Sequence, residues 1–208
     1  MLDTVIFDIG NVLVDFDWEG FIHRMFPGRE ELITELDAAV WGGGRWDRLD
    51  AGDPPEEVFT NIIAHAPKHA QELRKVFANV GDTLRKRAAT PAWITGLKAR
   101  GYRVLYLSNY SRYVMGLNPD VLDFLPLMDG GVFSCDVHLI KPDRRIYECI
   151  TEKYSLTPGE CVFIDDIARN VEAARDFGFR AIQFMTFEQA QKDLNKLLEE
   201  IYLEVNIV

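Results

Sequence analysis

The stretch Val5-Ile6-Phe7-Asp8-Ile9-Gly10-Asn11-Val12-Leu13-Val14 is the strongest indication of how this 208-residue chain folds. An apolar run with β-strand character leads directly into the carboxylate of Asp8, and a turn containing Gly10 follows at once. A charge at the end of a buried strand is costly unless a cation or a reaction compensates for it. Because many strands end in Asp-x-Gly as a plain turn, this stretch becomes informative only together with three others.

The three other stretches also place polar groups where strands end or a helix begins. Residues 104–107 are apolar and are followed by Ser108 and Asn109. Lys141 precedes Pro142, a residue that favours the first turn of a helix. Residues 161–164 lead into the pair Asp165-Asp166. Since α/β proteins place their sites at the carboxyl ends of parallel strands, we expect all these groups to meet at one edge of a sheet.

These residue types together point to phosphate chemistry. Asp8, Asp165 and Asp166 carry too many negative charges to share a pocket without a cation, and oxygen-only ligands suit Mg²⁺. Ser108, Asn109 and Lys141 are suited to bind phosphoryl oxygens. A carboxylate that attacks phosphorus would give covalent catalysis through an aspartyl-phosphate.

Alternation of strand and helix patterns predicts a three-layer α/β/α fold with a parallel, Rossmann-like sheet. Thr90 and Pro91 predict the cap and first turn of a helix that Gly101 closes, and Thr186 with Gln189 resembles a capping box. Another helix is expected from Asn170 to Phe177. The predicted strands lie near residues 3–9, 103–108, 132–137, 161–165 and 180–184.

Residues 16–89 form a long interval with helical periodicity and little β-signal. A crossover between parallel strands needs only a dozen or more residues, so this interval predicts an inserted helical unit. We therefore divide the chain into a core, residues 1–15 and 90–208, and a helical unit, residues 16–89. In the string Trp41-Gly42-Gly43-Gly44-Arg45-Trp46 the glycines permit a turn that most residues cannot make, and aromatic packing is the favoured use of the tryptophans.

Composition narrows the partners and the compartment. The chain has a net charge of −10, which argues against nucleic acid or an anionic membrane as a partner. Its 3 cysteines, Cys135, Cys149 and Cys161, are odd in number and are expected to be reduced and packed. No signal peptide or membrane-spanning run is visible, so we expect a cytoplasmic protein.

The ordered set Asp8, Ser108, Lys141 and Asp165-Asp166 resembles the four motifs of the haloacid dehalogenase (HAD) superfamily, over residues 3–185. The N-terminal stretch is also similar to a bacterial subgroup that includes α-D-glucose-1-phosphate phosphatases. This resemblance implies that the helical unit is a cap and that Asp8 is the nucleophile. It implies phosphate binding by Ser108, Asn109 and Lys141. Mg²⁺ would be held by Asp8, the Gly10 carbonyl and Asp166, with Asp165 a ligand directly or through water.

One position departs from the pattern of the superfamily. Typical HAD phosphatases carry a second Asp two residues after the nucleophile as the general acid and base, and here that residue is Gly10. The glucose-1-phosphatase-like subgroup also has glycine there. Asp15 and Asp17 are the substitutes that the nearby sequence offers, against the simpler interpretation that both are solvated loop acids.

The sequence therefore predicts a Mg²⁺-dependent phosphatase of a small phosphorylated metabolite, with a sugar phosphate implied by the resemblance. Two alternatives stay open: a dehalogenase of the same superfamily, in which the Asp attacks carbon, and a non-catalytic protein that binds a phosphometabolite. The oligomeric state, monomer or homodimer, is left open.

Overall fold

A five-stranded parallel sheet forms the centre of the protein, and the computed structural model describes residues 2–206, with side chains for residues 2–199. Within these residues the strands are β1 (Thr4–Phe7), β2 (Val14–Phe16), β3 (Leu84–Lys86), β4 (Arg103–Ser108), β5 (Gly130–Phe133), β6 (Cys161–Asp165) and β7 (Arg180–Gln183). The sheet order is β5-β4-β1-β6-β7, and β2 and β3 form a separate antiparallel pair.

Helices connect the strands and cover both faces of the sheet. Those of the described residues are α1 (Trp18–Met25), α2 (Glu30–Trp41), α3 (Arg45–Asp50), α4 (Pro55–His65), α5 (Ala70–Asn79), α6 (Thr90–Ala99), α7 (Arg112–Leu117), α8 (Ser134–Val137), α9 (Arg144–Tyr154), α10 (Ala168–Phe177) and α11 (Phe187–Asn206). None of the helices within residues 2–206 combines the length and the apolar character that crossing a membrane requires.

Alternating side chains of the central strands enter two separate apolar cores, which explains why the strands read as continuous hydrophobic runs. In β1, Val5 and Phe7 face one core, whereas Ile6 faces the other. The second core is covered by α9 and α10 through residues such as Tyr147 and Ala174. The first core is covered by α6, α11 and the helices α1–α5. The predicted three-layer α/β/α fold is confirmed.

The segment between β2 and β3 contains helices α1 to α5 and leaves the core through an antiparallel pair of strands. Val14 pairs with Lys86 and Phe16 pairs with Leu84, so the two ends of the helical segment lie side by side. This pair of strands was not predicted, because each has only three residues. Apolar residues of the helical segment belong to the same cluster as one face of the sheet.

Most predicted elements are confirmed, and two element boundaries are corrected. The predicted strand at 132–137 ends at Phe133 because the backbone becomes helical at Ser134 and forms α8, where the Ser134 hydroxyl bonds the Asp50 carbonyl and the Tyr110 amide. Helix α10 begins at Ala168, two residues before the predicted start. The capping box at Thr186 is present: its hydroxyl accepts from the Gln189 amide at 3.1 Å, and Gln189 Oε1 accepts from the Thr186 amide at 3.4 Å.

Thr90 is not the N-cap that the sequence predicts. It is the first residue of α6, and its buried hydroxyl donates to the Leu13 carbonyl at 2.5 Å, so it ties the helix to the chain that follows β1. The glycine at the other end behaves as predicted: Gly101 has φ +87°, a conformation that closes a helix.

We expect Thr90→Val to lower the free energy of unfolding by about 1–3 kcal/mol, because the Leu13 carbonyl loses its buried donor. Thr95→Val is the matched control, since the exposed Thr95 hydroxyl bonds a carbonyl of its own helix. Urea unfolding measures both. Equal losses in the two variants would contradict this account.

Candidate active site

The predicted polar groups meet at the carboxyl edge of the sheet. Asp8 directly follows β1, Ser108 ends β4, Asp165 ends β6, and Lys141 reaches the same edge from the loop before α9. Asp8 and Lys141 line a cavity of about 330 Å³ between the sheet edge and the helical segment, whereas Ser108 and Asp165 are buried and do not line it. The residues that line it include Asp8, Gly10, Asn109, Lys141, Asp166, Phe16, Trp41, Trp46, Asp50, Tyr110 and Val114.

Lys141 is fully buried between two carboxylates. Its Nζ lies 2.9 Å from Asp8 Oδ1 and 2.6 Å from Asp165 Oδ2. Burial acts against the charge of the lysine, but Asp165 and Asp8 outweigh it and raise the pKa of Lys141, so the side chain stays a cation. The predicted association of these three residues is therefore present.

Asp8 has an altered pKa for several opposing reasons. Burial raises it, the ammonium group of Lys141 lowers it, and the charge of Asp165 raises it again, with a net pKa of about 7. Its Oδ1 also accepts the amide hydrogen of Ile9 at 2.7 Å. The side chain is only 7% exposed, and this exposed part faces the cavity. A buried carboxylate with a free path to a ligand fits the predicted role of a nucleophile.

The carboxylate oxygens of Asp165 accept hydrogen bonds from other groups of the protein. Besides Lys141, it accepts the Ile167 amide at 2.8 Å and the Asn170 side-chain amide at 3.1 Å and 3.2 Å. It is completely buried and does not line the cavity. These contacts favour a residue that positions Lys141 over one that binds a ligand directly.

Asp166 is the more accessible member of the pair. It lines the cavity, and its Oδ2 accepts from the Asn11 side-chain amide at 3.0 Å. Burial raises its pKa, and the Asn11 amide acts in the opposite direction. Ligand atoms of Asp8, Asp165 and Asp166 lie within 4.8 Å of one another. A purely oxygen set of this kind suits a hard divalent cation.

Gly10 lines the same cavity as Asp8 and Asp166. A Cβ atom built on it would meet no other heavy atom within 4 Å, so the space that a second acidic side chain would fill is open. The next residue, Asn11, has φ +56°, which turns the chain sharply and allows its side chain to bond both Asp166 and the Phe16 amide. Sequence reasoning missed this role of Asn11, although Asn is among the few residues that tolerate this conformation.

The two predicted phosphate-binding residues at the end of β4 differ in their contacts. Ser108 Oγ is buried beside Asp8 and lowers its pKa, and it meets no partner at hydrogen-bonding geometry among the described residues. Asn109 lines the cavity, but its side chain exchanges two hydrogen bonds with the backbone of Lys141, at 2.8 Å and 3.1 Å. Ser108 thus keeps an unused hydroxyl next to Asp8, although it does not itself line the cavity, whereas the side-chain amide of Asn109 holds the lysine in place.

Neither of the two acids offered as substitutes for the missing Asp reaches the cavity. Asp15 pairs with Arg87 on the outside of the β2–β3 pair, and its Oδ1 lies 2.5 Å from the guanidinium. Asp17 caps α1 through the Gly20 amide at 2.8 Å and pairs with Arg24 at 2.9 Å. Alternation along β2 and the start of a helix direct these side chains away from Asp8.

The glycine string brings two tryptophans to the cavity wall. Gly43 and Gly44 have φ of +64° and +67°, so the turn requires glycine as predicted. The rings of Trp41 and Trp46 pack with centroids 5.3 Å apart, and both also line the cavity. Arg45 does not face it, because its guanidinium bonds carbonyls at the end of α2.

Two further polar residues in the cavity were not singled out by the sequence. Asp50, the last residue of α3, has a partly buried carboxyl, and Tyr110 has a buried hydroxyl with no hydrogen-bond partner among the described residues. No pattern in the sequence marks Asp50, and only the position of α3 in the fold brings its side chain to the cavity.

We expect Lys141→Met to lower the free energy of unfolding by about 3–5 kcal/mol at neutral pH, because two buried carboxylates lose their cation. The ammonium group lowers the pKa of Asp8, so without it that pKa rises further above its value in the unfolded chain and the folded state favours the protonated carboxyl. The variant therefore loses stability as pH rises through neutrality and recovers part of it near pH 5. Urea unfolding at neutral pH and at pH 5 measures the change in stability. Lys86→Met is the control, because Lys86 forms an exposed ion pair with Asp123. A loss that is independent of pH would contradict it.

Comparison with known proteins agrees with this geometry. Residues 2–178 match the family model of haloacid dehalogenase-like hydrolases. The chain therefore belongs to the haloacid dehalogenase-like hydrolase family, and it is an enzyme of the hydrolase class.

Relatives within the family include phosphatases. The chain is 23% identical to a D-ribitol-5-phosphate phosphatase of Bacteroides thetaiotaomicron, over 88% of this chain and 92% of that protein. It also matches three larger proteins and spans only 19%, 37% and 23% of their lengths.

Solved structures show the same fold. A HAD-like family hydrolase from Porphyromonas gingivalis aligns with a TM-score of 0.74 and 22% identity, over 95% of this chain and 98% of that one. A HAD family enzyme from Bacteroides thetaiotaomicron, solved with magnesium and inorganic phosphate, aligns with a TM-score of 0.69 and 18% identity, over 88% of this chain and 94% of that one.

Proposed function

We propose that this protein is a Mg²⁺-dependent phosphatase that hydrolyses a small phosphomonoester through an aspartyl-phosphate on Asp8. The observation that carries the proposal is the group of Asp8, Lys141 and Asp166 at the floor of one cavity, with the Ser108 hydroxyl beside it. The phosphatase among its relatives and the magnesium and phosphate bound to a protein of the same fold support the same chemistry.

Each group at the cavity floor would act on the phosphoryl group. Asp8 attacks phosphorus in line, Ser108 donates a hydrogen bond to a phosphoryl oxygen, and Lys141 stabilises the negative charge. The Asn109 backbone lies at the same edge and would add a further donor, while its side chain keeps Lys141 in place. Water would then hydrolyse the aspartyl-phosphate and release inorganic phosphate.

The donor set of the cavity fits a magnesium ion. Asp8, Asp166 and the Gly10 carbonyl would hold it, with Asp165 acting through water because its oxygens already accept protein hydrogen bonds. When bound, Mg²⁺ supplies positive charge that neutralises the phosphoryl oxygens and keeps the nucleophile ionised. The same acidic cluster supports a phosphatase over a dehalogenase, which attacks carbon and needs no cation.

The helical segment, residues 16–89, would serve as a cap over this site. Phe16, Trp41 and Trp46 face the cavity from it and shield the reacting atoms from water. The core, residues 1–15 and 90–208, would supply the catalytic groups.

A sugar phosphate is the substrate implied by the resemblance of the N-terminal stretch to glucose-1-phosphate phosphatases. Aromatic rings such as Trp41 and Trp46 can stack on a sugar. The same wall favours a second candidate, a phosphomonoester with an apolar leaving group, because Val80, Leu84 and Val114 also line the cavity. The net charge of −10 argues against a nucleic acid as a partner, and we place the protein and its small phosphorylated substrate in the cytoplasm.

The direct test is phosphate release from a panel of sugar phosphates and alkyl phosphates, with Mg²⁺ and with EDTA. We expect release only with the metal, and a loss on the order of 10⁴-fold or more in Asp8→Asn. Asp15→Asn is the matched control, because this acid lies outside the cavity and should leave the rate unchanged. If the wild type binds Mg²⁺ but releases no phosphate from any compound, a binding protein or a dehalogenase replaces the proposal.

Mg²⁺ binding should depend on pH in a defined direction. Asp8, with a pKa of about 7, and Asp166, whose pKa is also raised, must lose their protons to bind the ion. Affinity therefore falls several-fold from pH 8 to pH 6. Isothermal titration calorimetry measures the affinity for Mg²⁺ at both pH values. We expect Asp166→Asn to abolish binding. Asp53→Asn is the control, because Asp53 pairs with Arg48 on the surface. Binding that is stronger at pH 6 would rule out these ligands.

A further inference from the structure

An acid is missing where this reaction needs one. Expelling an alkoxide requires a proton on the leaving oxygen, and hydrolysis of the aspartyl-phosphate requires a base for water. Gly10 supplies neither, and Asp15 and Asp17 lie outside the cavity. The group must therefore come from another element that borders the cavity.

Most titratable side chains of the cavity are already engaged. Asp8 is the proposed nucleophile, Lys141 is paired with two carboxylates, and Asp166 bonds Asn11 within the proposed metal site. Asp47 is exposed in the first turn of α3. Asp50 remains, at the other end of the same short helix.

The carboxyl of Asp50 is not used by the fold. Within the described part of the chain it forms neither a hydrogen bond nor an ion pair, although it is partly buried and lines the cavity. The charged and titratable groups that act on it are Asp47 on its own helix, Asp8 and Lys141 on the cavity floor, and Tyr110. Only one of these four is a cation.

The backbone that carries Asp50 is fastened to the core. The buried Ser134 hydroxyl donates to the Asp50 carbonyl at 2.5 Å and accepts from the Tyr110 amide at 2.9 Å. His138 Nδ1 lies 2.9 Å from the Ala51 carbonyl oxygen. Gly52, with φ +92°, passes so close to α8 that a Cβ there would lie 2.7 Å from the Cys135 carbonyl oxygen. Asp50 is thus held at the cavity by contacts that do not involve its carboxyl.

A second unpaired group lies on the same side of the cavity. Tyr110 is 6% exposed, and its hydroxyl has no partner among the described residues although it is buried. A buried hydroxyl without a partner costs free energy, which a bound ligand can recover. Asp50 and Tyr110 therefore give the cavity two polar groups that the fold leaves unpaired, in addition to Asp8 and Lys141.

We propose that Asp50, supplied by the helical segment, is the general acid and base of this enzyme and takes the place left by Gly10. The inference rests on the proposed phosphatase activity. Asp8 forms a bond to phosphorus while the bond from phosphorus to the ester oxygen breaks, and the Asp50 proton passes to that oxygen to give the alcohol. Water then attacks phosphorus and gives its proton to the Asp50 carboxylate. The bond to Asp8 breaks, and inorganic phosphate leaves.

The protonation state of Asp50 suits this role. Burial, with the nearby negative charges of Asp47 and Asp8, raises the pKa of Asp50 to about 8, against a smaller opposing effect of Lys141. The carboxyl is therefore mostly protonated at neutral pH, as a general acid must be, and it can accept a proton again in the second step.

The test compares leaving groups in single-turnover kinetics with the Mg²⁺-loaded full chain. For Asp50→Asn we expect release of alcohol from an alkyl phosphate to slow by about 10²–10⁴-fold. With 4-nitrophenyl phosphate, whose leaving group needs no proton, the variant should release one equivalent of 4-nitrophenolate per active site at close to the wild-type rate. Turnover after this burst should be slow, because the base for hydrolysis is missing.

Asp53→Asn is the matched control: it removes a carboxyl three residues away that pairs with Arg48, and it should behave as the wild type with both substrates. The burst itself shows that Asp50→Asn is folded and loaded with metal. Alcohol release within a few-fold of the wild type, or equal losses with both substrates, would overturn the role of Asp50. If the wild type hydrolyses neither compound, the phosphatase proposal itself fails.

Discussion

The buried ammonium group of Lys141 is the interaction on which the site depends. Asp8 and Asp165 converge at one edge of the sheet because their strands are parallel neighbours, and their charges would repel without a cation between them. A buried ion pair of this kind adds little net stability. Removing one partner strongly destabilises the protein, because the other charge stays buried without compensation. The protein accordingly secures the lysine from several sides, with the Asn109 side chain on its backbone and Asn170 on Asp165.

This arrangement separates two tasks among similar residues. Asp165 and the Asn109 amide are used for positioning, whereas Asp8 and Asp166 line the cavity and the buried Ser108 hydroxyl has no partner among the described residues. The adjacent aspartates Asp165 and Asp166 thus differ because the first is buried among protein donors and the second lines the cavity. The helical segment adds aromatic walls and Asp50, so the cavity is complete only where the two parts of the chain meet.

Much of the fold could be predicted because the local signals agree with the tertiary structure. Residues 103–108 and 161–165 are apolar and buried on both faces, and both strands lie at their predicted positions. The errors occur where tertiary contacts override local preference. Thr90 leaves its cap position to bond Leu13, and Ser134 ends a strand early to bond Asp50 and Tyr110. No local pattern encodes these contacts, since Leu13 lies 77 residues from Thr90 and Asp50 lies 84 residues from Ser134.

The sequence by itself determined the parallel α/β sheet, the convergence of Asp8, Ser108, Lys141 and Asp166 at one sheet edge, and the helical segment after the first strand. These follow from hydrophobic periodicity and from the rule that parallel strands end at a common edge. The tertiary structure alone decided that Asp15 and Asp17 lie outside the cavity and that Asp50 lies within it. The physical reason is that the direction of a side chain from an inserted helix depends on how that helix docks, through contacts such as Ser134 to Asp50, and not on its own sequence.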